Sequence, residues 1–242
     1  MTTYGAVDIV GLRWGFDTAI LGALSDAQLL ALFQTPLPAS ITGPGDPQFA
    51  EFAWGYCPFY GAKASAWDLT GPRMRAIADV VNGAGRYAKA LLVQHCRTST
   101  TMNAVQGDQD GKTAADYATA QGYPATAHLA QDDEAVRNPG PDGIASVTAW
   151  AQACLDGGPT GSFAPCTYEG YSPGDGGAGV SIVSCYWGAV GNWAKAARGV
   201  RCKQHLQITH CGIEIDPDFA APDKLGGVLR GFGRLTNLPV AT

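Results

Sequence analysis

Short apolar segments alternate with amphipathic segments along the first two thirds of the chain. The apolar segments are rich in β-branched and aromatic residues and are bounded by turn residues, which is typical of strands. Strands are predicted at 8–17, at 52–60, at 86–96 and at the segment ATAHLA before the acids of 132–134. Helices are predicted at 25–34, at 143–158, and at the segments GPRMRAIADVVNGAG and GKTAADYATAQGY. This alternation favours a parallel sheet with helices outside it.

The boundaries of these elements follow from capping and turn residues. Ser25 is a plausible N-cap for the first helix, whose apolar stripe is Leu24, Leu29, Leu30 and Leu32. Residues 35–50 are rich in proline and glycine and predict a long surface loop. The Ala-rich third helix is expected to close on Gly122.

The last third of the chain keeps the strands but loses most of the helices. Strands are predicted at 163–171 and at the segments VSIVSCYWGAV, RCKQHLQIT and CGIEIDPDF. Only short helical stretches follow them. Eight strands, mostly parallel, predict an α/β fold of one domain over 1–242, an irregular (β/α)8 TIM-type barrel with eroded helices in its second half. A doubly wound open sheet is the competitor, but the first strand is not followed by a G-x-G-x-x-G turn.

Charge and composition exclude several classes of partner. The chain has 242 residues, of which 15% are charged, and a formal net charge of -5. It has no basic run that could follow a phosphate backbone, so nucleic acid is not expected as a partner. Neither a secretory signal nor an apolar run of about 18 residues is recognisable, so no membrane span is expected. Localisation is left open.

The seven cysteines do not predict a disulfide framework. Their number is odd, most lie in apolar strand-like runs, and no C-x-x-C spacing occurs. We therefore expect reduced, buried cysteines and no zinc site. The four histidines also lack metal-ligand spacing, and neither a metal nor a cofactor is predicted.

Acidic residues follow three of the predicted strands. Asp17 ends the first strand, Asp132 and Glu134 end the fourth, and Glu214 and Asp216 lie on the last. In a barrel these strand ends meet at one mouth, where like charges raise each other's pKa. Fold stability does not require such a cluster, so it indicates a site. Carboxyl pairs suit glycosidic cleavage, and they would equally suit a divalent metal.

Aromatic residues accompany the acids at the strand ends. Trp54, Tyr56, Tyr168 and Trp187 are candidates for stacking on a sugar ring. Packing in the core is the alternative for each of them.

With these residues in view, the chain resembles the family-25 glycoside hydrolases, which are N-acetylmuramidases. It is still more similar to the related glycoside-hydrolase-like domains of actinobacterial and phage proteins. The resemblance spans about residues 10–225. It rests on GFD at 15–17, GKTAADYATAQGYP, the D-x-E motif at 132–134, TYEGY, and KQHLQITHCGIEIDPDF. The last strand departs from the family, with Glu214 where Asp is more usual and Asp216 where Asn is frequent.

The resemblance implies roles for these positions. Glu134 would be the acid/base, and Asp132 would assist charge stabilisation. Asp17 and the last-strand acids Glu214 and Asp216 would shape the sugar site, with Gln204 on the preceding strand. The implied function is a peptidoglycan hydrolase. The alternatives are a catalytically weak barrel that binds glycan as a component or cargo of a phage or injection particle, and a metal-dependent hydrolase.

Overall fold

The computed structural model describes most of the chain as strands and helices. The described residues are 3–4, 7–8, 13–58, 61, 65–83, 89–95, 102–123, 128–132, 140–157, 163–168, 185–189 and 200–220. The strands are β1 Thr3–Tyr4, β2 Val7–Asp8, β3 Arg13–Asp17, β4 Ala50–Cys57, β5 Lys89–His95, β6 His128–Asp132, β7 Ala164–Tyr168, β8 Cys185–Ala189, β9 Val200–Gln204, β10 Ile208–His210 and β11 Ile213–Ala220. The helices are α1 Asp26–Gln34, α2 Ala39–Thr42, α3 Gly71–Gly83, α4 Ala104–Ala120 and α5 Gly140–Asp156, with a 3-10 turn at Leu21–Ala23.

Nine of these strands form one sheet. Strands β3 to β9 pair in parallel, each with the next along the chain. Strand β11 pairs antiparallel with β3 and also with β9, so the order of pairings closes on itself. Strand β10 is a hairpin partner of β11, while β1 and β2 pair separately.

Local capping explains where the first helix starts. The Ser25 hydroxyl accepts from the backbone N–H of Gln28 and the Gln28 side chain accepts from the Ser25 N–H, so the predicted N-cap is confirmed as a capping box. Of the predicted stripe, Leu24, Leu29 and Leu32 are buried, but Leu30 is 38% exposed. Including Leu30 in that stripe was therefore wrong.

The two faces of the sheet differ in what covers them. Phe16 packs on Phe33 of α1 with ring centroids 5.2 Å apart, which places the helices over one face. Trp54 and Asp218 lie on the other face, yet they are only 1% and 0% exposed. Burial of these two side chains is expected if the sheet curls onto itself. We propose that the fold is the irregular (β/α)8-type barrel predicted above, which the closed order of pairings supports.

The last strand corrects one detail of the sequence analysis. The acids Glu214 and Asp216 lie near the start of β11, not at its end. The reason is the turn before it, where Cys211 and Gly212 have φ of 53° and 78° and reverse the chain between β10 and β11. Because β11 is antiparallel to β3, its first residues lie at the edge where β3 ends.

Several predictions fall outside the described residues. These include the Gly-rich loop after 171, the short helical stretches after β8 and β11, and the single-domain assignment of the whole chain. Within the described part, none of the helices combines the length and the apolar character that a membrane crossing requires.

Candidate functional site

A cavity of about 400 Å³ opens at the edge of the sheet where β3 ends. The end of β3 and the segment after it form one wall, and the start of β11 forms another. The lining residues are Asp17, Thr18, Ala19, Ile20, Gln28, Tyr56, Gln207, Gly212, Ile213, Glu214 and Asp216. Three of these are carboxylates and none is a lysine, arginine or histidine, so the cavity is acidic.

Asp17 and Asp216 are direct cross-strand partners. The antiparallel register of β11 and β3 places Asp216 opposite Asp17. Side chains of directly paired residues lie on the same face with Cβ atoms about 4.5–5.5 Å apart. Asp17 is only 7% exposed. Two carboxyl groups held this close destabilise each other when both are ionised, so the seam between β3 and β11 carries an electrostatic cost.

The environment of Asp216 favours its protonated form. Burial raises the pKa of the half-buried Asp216 carboxyl, a hydrogen bond with Gln204 lowers it, and the charge of Glu214 raises it further, with burial the largest cause. The net direction is upward. Asp216 is therefore a carboxyl that holds a proton at a higher pH than an exposed aspartate does.

Hydrogen bonds to two of its carbonyl groups hold the start of β11 in place. The Thr18 hydroxyl donates to the carbonyl oxygen of Glu214 at 3.0 Å, and Thr18 itself is buried. On the other side, the His205 N–H donates to the carbonyl oxygen of Pro217 at 2.6 Å. Glu214 is exposed above these anchors. Its carboxylate is therefore available at the cavity wall while its backbone is held in place.

A third acid of β11 lies deeper on the same face. Asp218 is 0% exposed and pairs in register with Gly15 of β3 and Gln204 of β9. The sequence analysis did not single it out. The signal was present, since acids recur at every second position of EIDPD and a strand places such positions on one face.

The two aromatic candidates of β4 have different surroundings. Tyr56 lines the cavity and is partly exposed, which suits the predicted contact with a sugar. Trp54 is directly paired with Asp17 but is 1% exposed, which favours the core-packing alternative for this residue. Tyr168 and Trp187 pair with each other in the backbone of β7 and β8, and their side chains lie outside the described part of the structure.

Asp132 lies on the acid-bearing face but does not line this cavity. It ends β6, and the backbone register pairs it with His95 on one side and Tyr168 on the other. Paired residues share a face of the sheet, and so do alternate residues of one strand. Following these pairings from β3 through β4 and β5 to β6 places Asp17 and Asp132 on the same face of the sheet. Because β3 and β6 run in the same direction, both acids end their strands at one edge.

Glu134 is the predicted site residue that the structure does not describe, since 133–139 lie outside the described residues. Its pairing with Asp132 on one strand face stays a prediction. The described residues offer no metal site for the metal-dependent alternative. Among them, no group of three or more His, Cys, Asp or Glu side chains is placed to hold an ion.

Three proteins of known structure share this fold. No protein-family profile matches the sequence and no curated protein matches it. The Tat-secreted protein Rv2525c of Mycobacterium tuberculosis, solved with L-tartrate, matches with a TM-score of 0.56 and 16% identity over 86% of this chain and 95% of that one. The modular autolysin LytC of Streptococcus pneumoniae, solved with a synthetic peptidoglycan ligand, matches with a TM-score of 0.53 and 10% identity over 87% of this chain and 47% of that one.

The third structure is a catalytic domain. The endolysin ply40 of bacteriophage P40 of Listeria monocytogenes matches with a TM-score of 0.50 and 10% identity, over 94% of this chain and 100% of that domain. The chain spans about half of the autolysin and nearly the whole of the other two. At these identities the likeness is one of fold, and the chain has a fold like that of cell-wall hydrolases.

Proposed function

We propose that the protein is a peptidoglycan hydrolase that cleaves a glycosidic bond of the cell wall with a pair of carboxyl groups, as the family-25 muramidases do. The observation that carries the proposal is the cross-strand pair of Asp17 and Asp216 in an acidic cavity, with the pKa of Asp216 raised. The fold shared with an autolysin and an endolysin catalytic domain supports it. Association with a phage or injection particle also stays a proposal, supported by the endolysin alone.

The chemistry needs one carboxyl that is protonated and one that is ionised. The protonated group donates to the leaving oxygen, and the ionised group balances the positive charge that develops on the sugar. Following the resemblance, we assign Glu134 as the donor and Asp132 as the ionised partner. Asp17, Glu214 and Asp216 then form the sugar-binding wall, where their carboxyl oxygens accept from sugar hydroxyls.

The test measures two properties on purified cell walls: the reducing ends released and the amount of protein bound. Glu134→Gln keeps the side-chain shape but removes the proton, so we expect a loss of turnover of about 10²–10⁴-fold with binding retained. Asp46→Asn, at an exposed aspartate before β4, is the matched control. Near-normal turnover of Glu134→Gln would contradict the assignment of the donor.

Three other outcomes separate the remaining alternatives. If Asp216→Asn abolishes turnover while Glu134→Gln does not, the donor lies on β11. Binding without any release of reducing ends by the wild-type protein would replace the hydrolase with the glycan-binding alternative. Loss of hydrolysis on adding EDTA would favour the metal-dependent alternative.

A further inference from the structure

We propose that Trp67 forms a second sugar-binding position at the rim of the cavity, where its ring stacks on a neighbouring sugar of the same glycan strand. The inference rests on the proposed function of the cavity and adds to it the requirement for a strand of several sugars. Trp67 is 57% exposed. It lies in the loop between β4 and α3, on the edge of the sheet where parallel strands end and where such folds bind their ligands.

Trp67 is unusual among the exposed apolar side chains. The described residues include four large apolar side chains that are exposed, namely Leu30, Trp67, Val105 and Leu206. Trp67 is the aromatic one, so it leaves the largest flat apolar surface in contact with water. Single exposed apolar residues are common on protein surfaces, and exposure alone therefore does not make a site.

The backbone around Trp67 is fixed, although its ring is exposed. The Trp67 N–H donates to the Ser65 hydroxyl at 3.2 Å, and the Trp67 carbonyl accepts from the Gly22 N–H at 3.2 Å. The next residue, Asp68, is 7% exposed and its carboxylate accepts from the Ser65 N–H at 2.6 Å. An exposed tryptophan on a fixed backbone loses little conformational entropy when a ligand binds it, which is the property of a recognition residue.

The loop that carries Trp67 lies beside two residues that line the cavity. On one side Asp68 forms a parallel bridge with Tyr56, and the Leu69 N–H donates to the Tyr56 carbonyl at 2.8 Å. On the other side the Gly22 N–H donates to the Trp67 carbonyl, and Gly22 lies two residues from Ile20. Both Ile20 and Tyr56 line the cavity, so the loop is placed next to it.

The expected occupant follows from the chemistry of the rim. A sugar ring has an apolar face of C–H groups and a polar edge of hydroxyls, and the face packs on a flat aromatic surface. A sugar of the same strand that adjoins the one in the cavity presents such a face to the Trp67 ring.

Gly22 provides an independent way to displace Trp67. A Cβ atom at Gly22 would lie 2.2 Å from the carbonyl oxygen of Asp68 and 2.5 Å from that of Trp67. Both contacts are with backbone, so an added methyl group has to push the loop away. Gly22→Ala should therefore reproduce the binding defect of Trp67→Ala without touching the tryptophan.

The experiment measures the affinity of peptide-free glycan strands of two, four and six sugars, prepared from purified cell walls. All variants carry Glu134→Gln so that the strands are not cut. We expect Trp67→Ala to weaken binding of the six-sugar strand about tenfold, as expected of an aromatic anchor, and to leave the two-sugar strand unchanged. Trp67→Phe should retain most of the affinity, and Gly22→Ala should follow Trp67→Ala.

Leu30→Ala, which removes an exposed apolar side chain from α1, is the control and should bind all strands like the parent. Melting temperatures of all variants verify that they are folded. Unchanged affinity of Trp67→Ala for the six-sugar strand overturns the second position, and so does an equal loss at every length. If the parent binds no strand of any length, the proposed function itself fails, and the inference fails with it.

Discussion

Two regions of the molecule bring chain segments into close contact. One is the contact between α4 and α5, and the other is the seam between β3 and β11. In the helix pair, an added Cβ at Gly107 would lie 2.0 Å from the carbonyl oxygen of Ser146, and one at Gly111 would lie 2.5 Å from that of Trp150. Small residues there let two backbones touch. At the seam, by contrast, Asp17 faces Asp216 across two paired strands.

The difference indicates which region serves stability and which serves function. The helix pair is held close by small residues, with Gly107 and Gly111 of α4 lying against the backbone of α5. The seam holds two carboxyl groups opposite each other, and burial together with the charge of Glu214 raises the pKa of Asp216. A region that keeps an unfavourable arrangement of charges is a candidate site on physical grounds. Substitutions should therefore affect activity at the seam and stability in the helix pair.

The largest expected effect is on turnover at the seam. Asp17→Asn removes a charge from the sugar-binding wall, and we expect hydrolysis of cell walls to fall roughly 10²-fold. The melting temperature should stay the same or rise, since the repulsion with Asp216 is removed. Turnover and thermal unfolding are measured on the same preparation. If the melting temperature of Asp17→Asn fell together with its turnover, Asp17 would have a structural role in the core instead.

The second effect is on stability in the helix pair. Gly107→Ala places a methyl group against the backbone of Ser146, and we expect the free energy of unfolding to fall by about 1–3 kcal/mol. Hydrolysis per folded molecule should not change. Thr119→Ala, at an exposed position of the same helix, is the control for a change that creates no clash. Denaturant unfolding of both variants tests this, and equal stabilities would contradict close packing.

The third effect is on how the thermal stability of the protein depends on pH. Because the pKa of Asp216 is raised in the folded protein, ionising it costs stability. This cost is absent below the ordinary aspartate pKa of 3.8 and complete once the pH has passed the folded-state pKa. Asp216→Asn should therefore melt at a higher temperature than wild type at pH 7, and the difference should shrink as the pH falls. A difference that is independent of pH would show that charge is not its cause.

The smallest expected effect is that of a reducing agent. Among the described residues, Cys57 and Cys154 are buried free thiols and Cys211 is an exposed one. We expect no disulfide among the seven cysteines, so a reductant should leave the melting temperature unchanged. A drop of several degrees would reveal a bridge elsewhere in the chain, since a native disulfide contributes about 2–5 kcal/mol.

Local signals predicted much of the regular structure. Ser25 and Gln28 mark the start of α1 because capping is a short-range interaction, and Gly122, with φ of 72°, follows the end of α4 as expected. The start of α4 at Ala104 was missed, since its prediction began at 111, whereas Gly107 and Gly111 both lie inside the helix. Those glycines are inside the helix because of contacts with α5, which the local sequence does not reveal.

The candidate site was predictable only in part. The acids Asp17, Glu214 and Asp216 were recognised, and they do line one cavity. The reversal of β11 was not recognised, because it depends on the Cys211–Gly212 turn and on pairing with β3. Trp67 was not singled out, since it lies in a loop without periodicity and its exposure follows from tertiary contacts.

The central claim is that the seam between β3 and β11 binds glycan, and carboxyl carbon NMR tests it directly. Aspartate labelled with ¹³C at the side-chain carboxyl gives one signal per residue, and Asn variants assign those of Asp17, Asp216 and the control Asp46. On adding glycan strands from purified cell walls, we predict shifts for Asp17 and Asp216 and none for the exposed Asp46. Strand binding that leaves both seam signals in place would contradict the account.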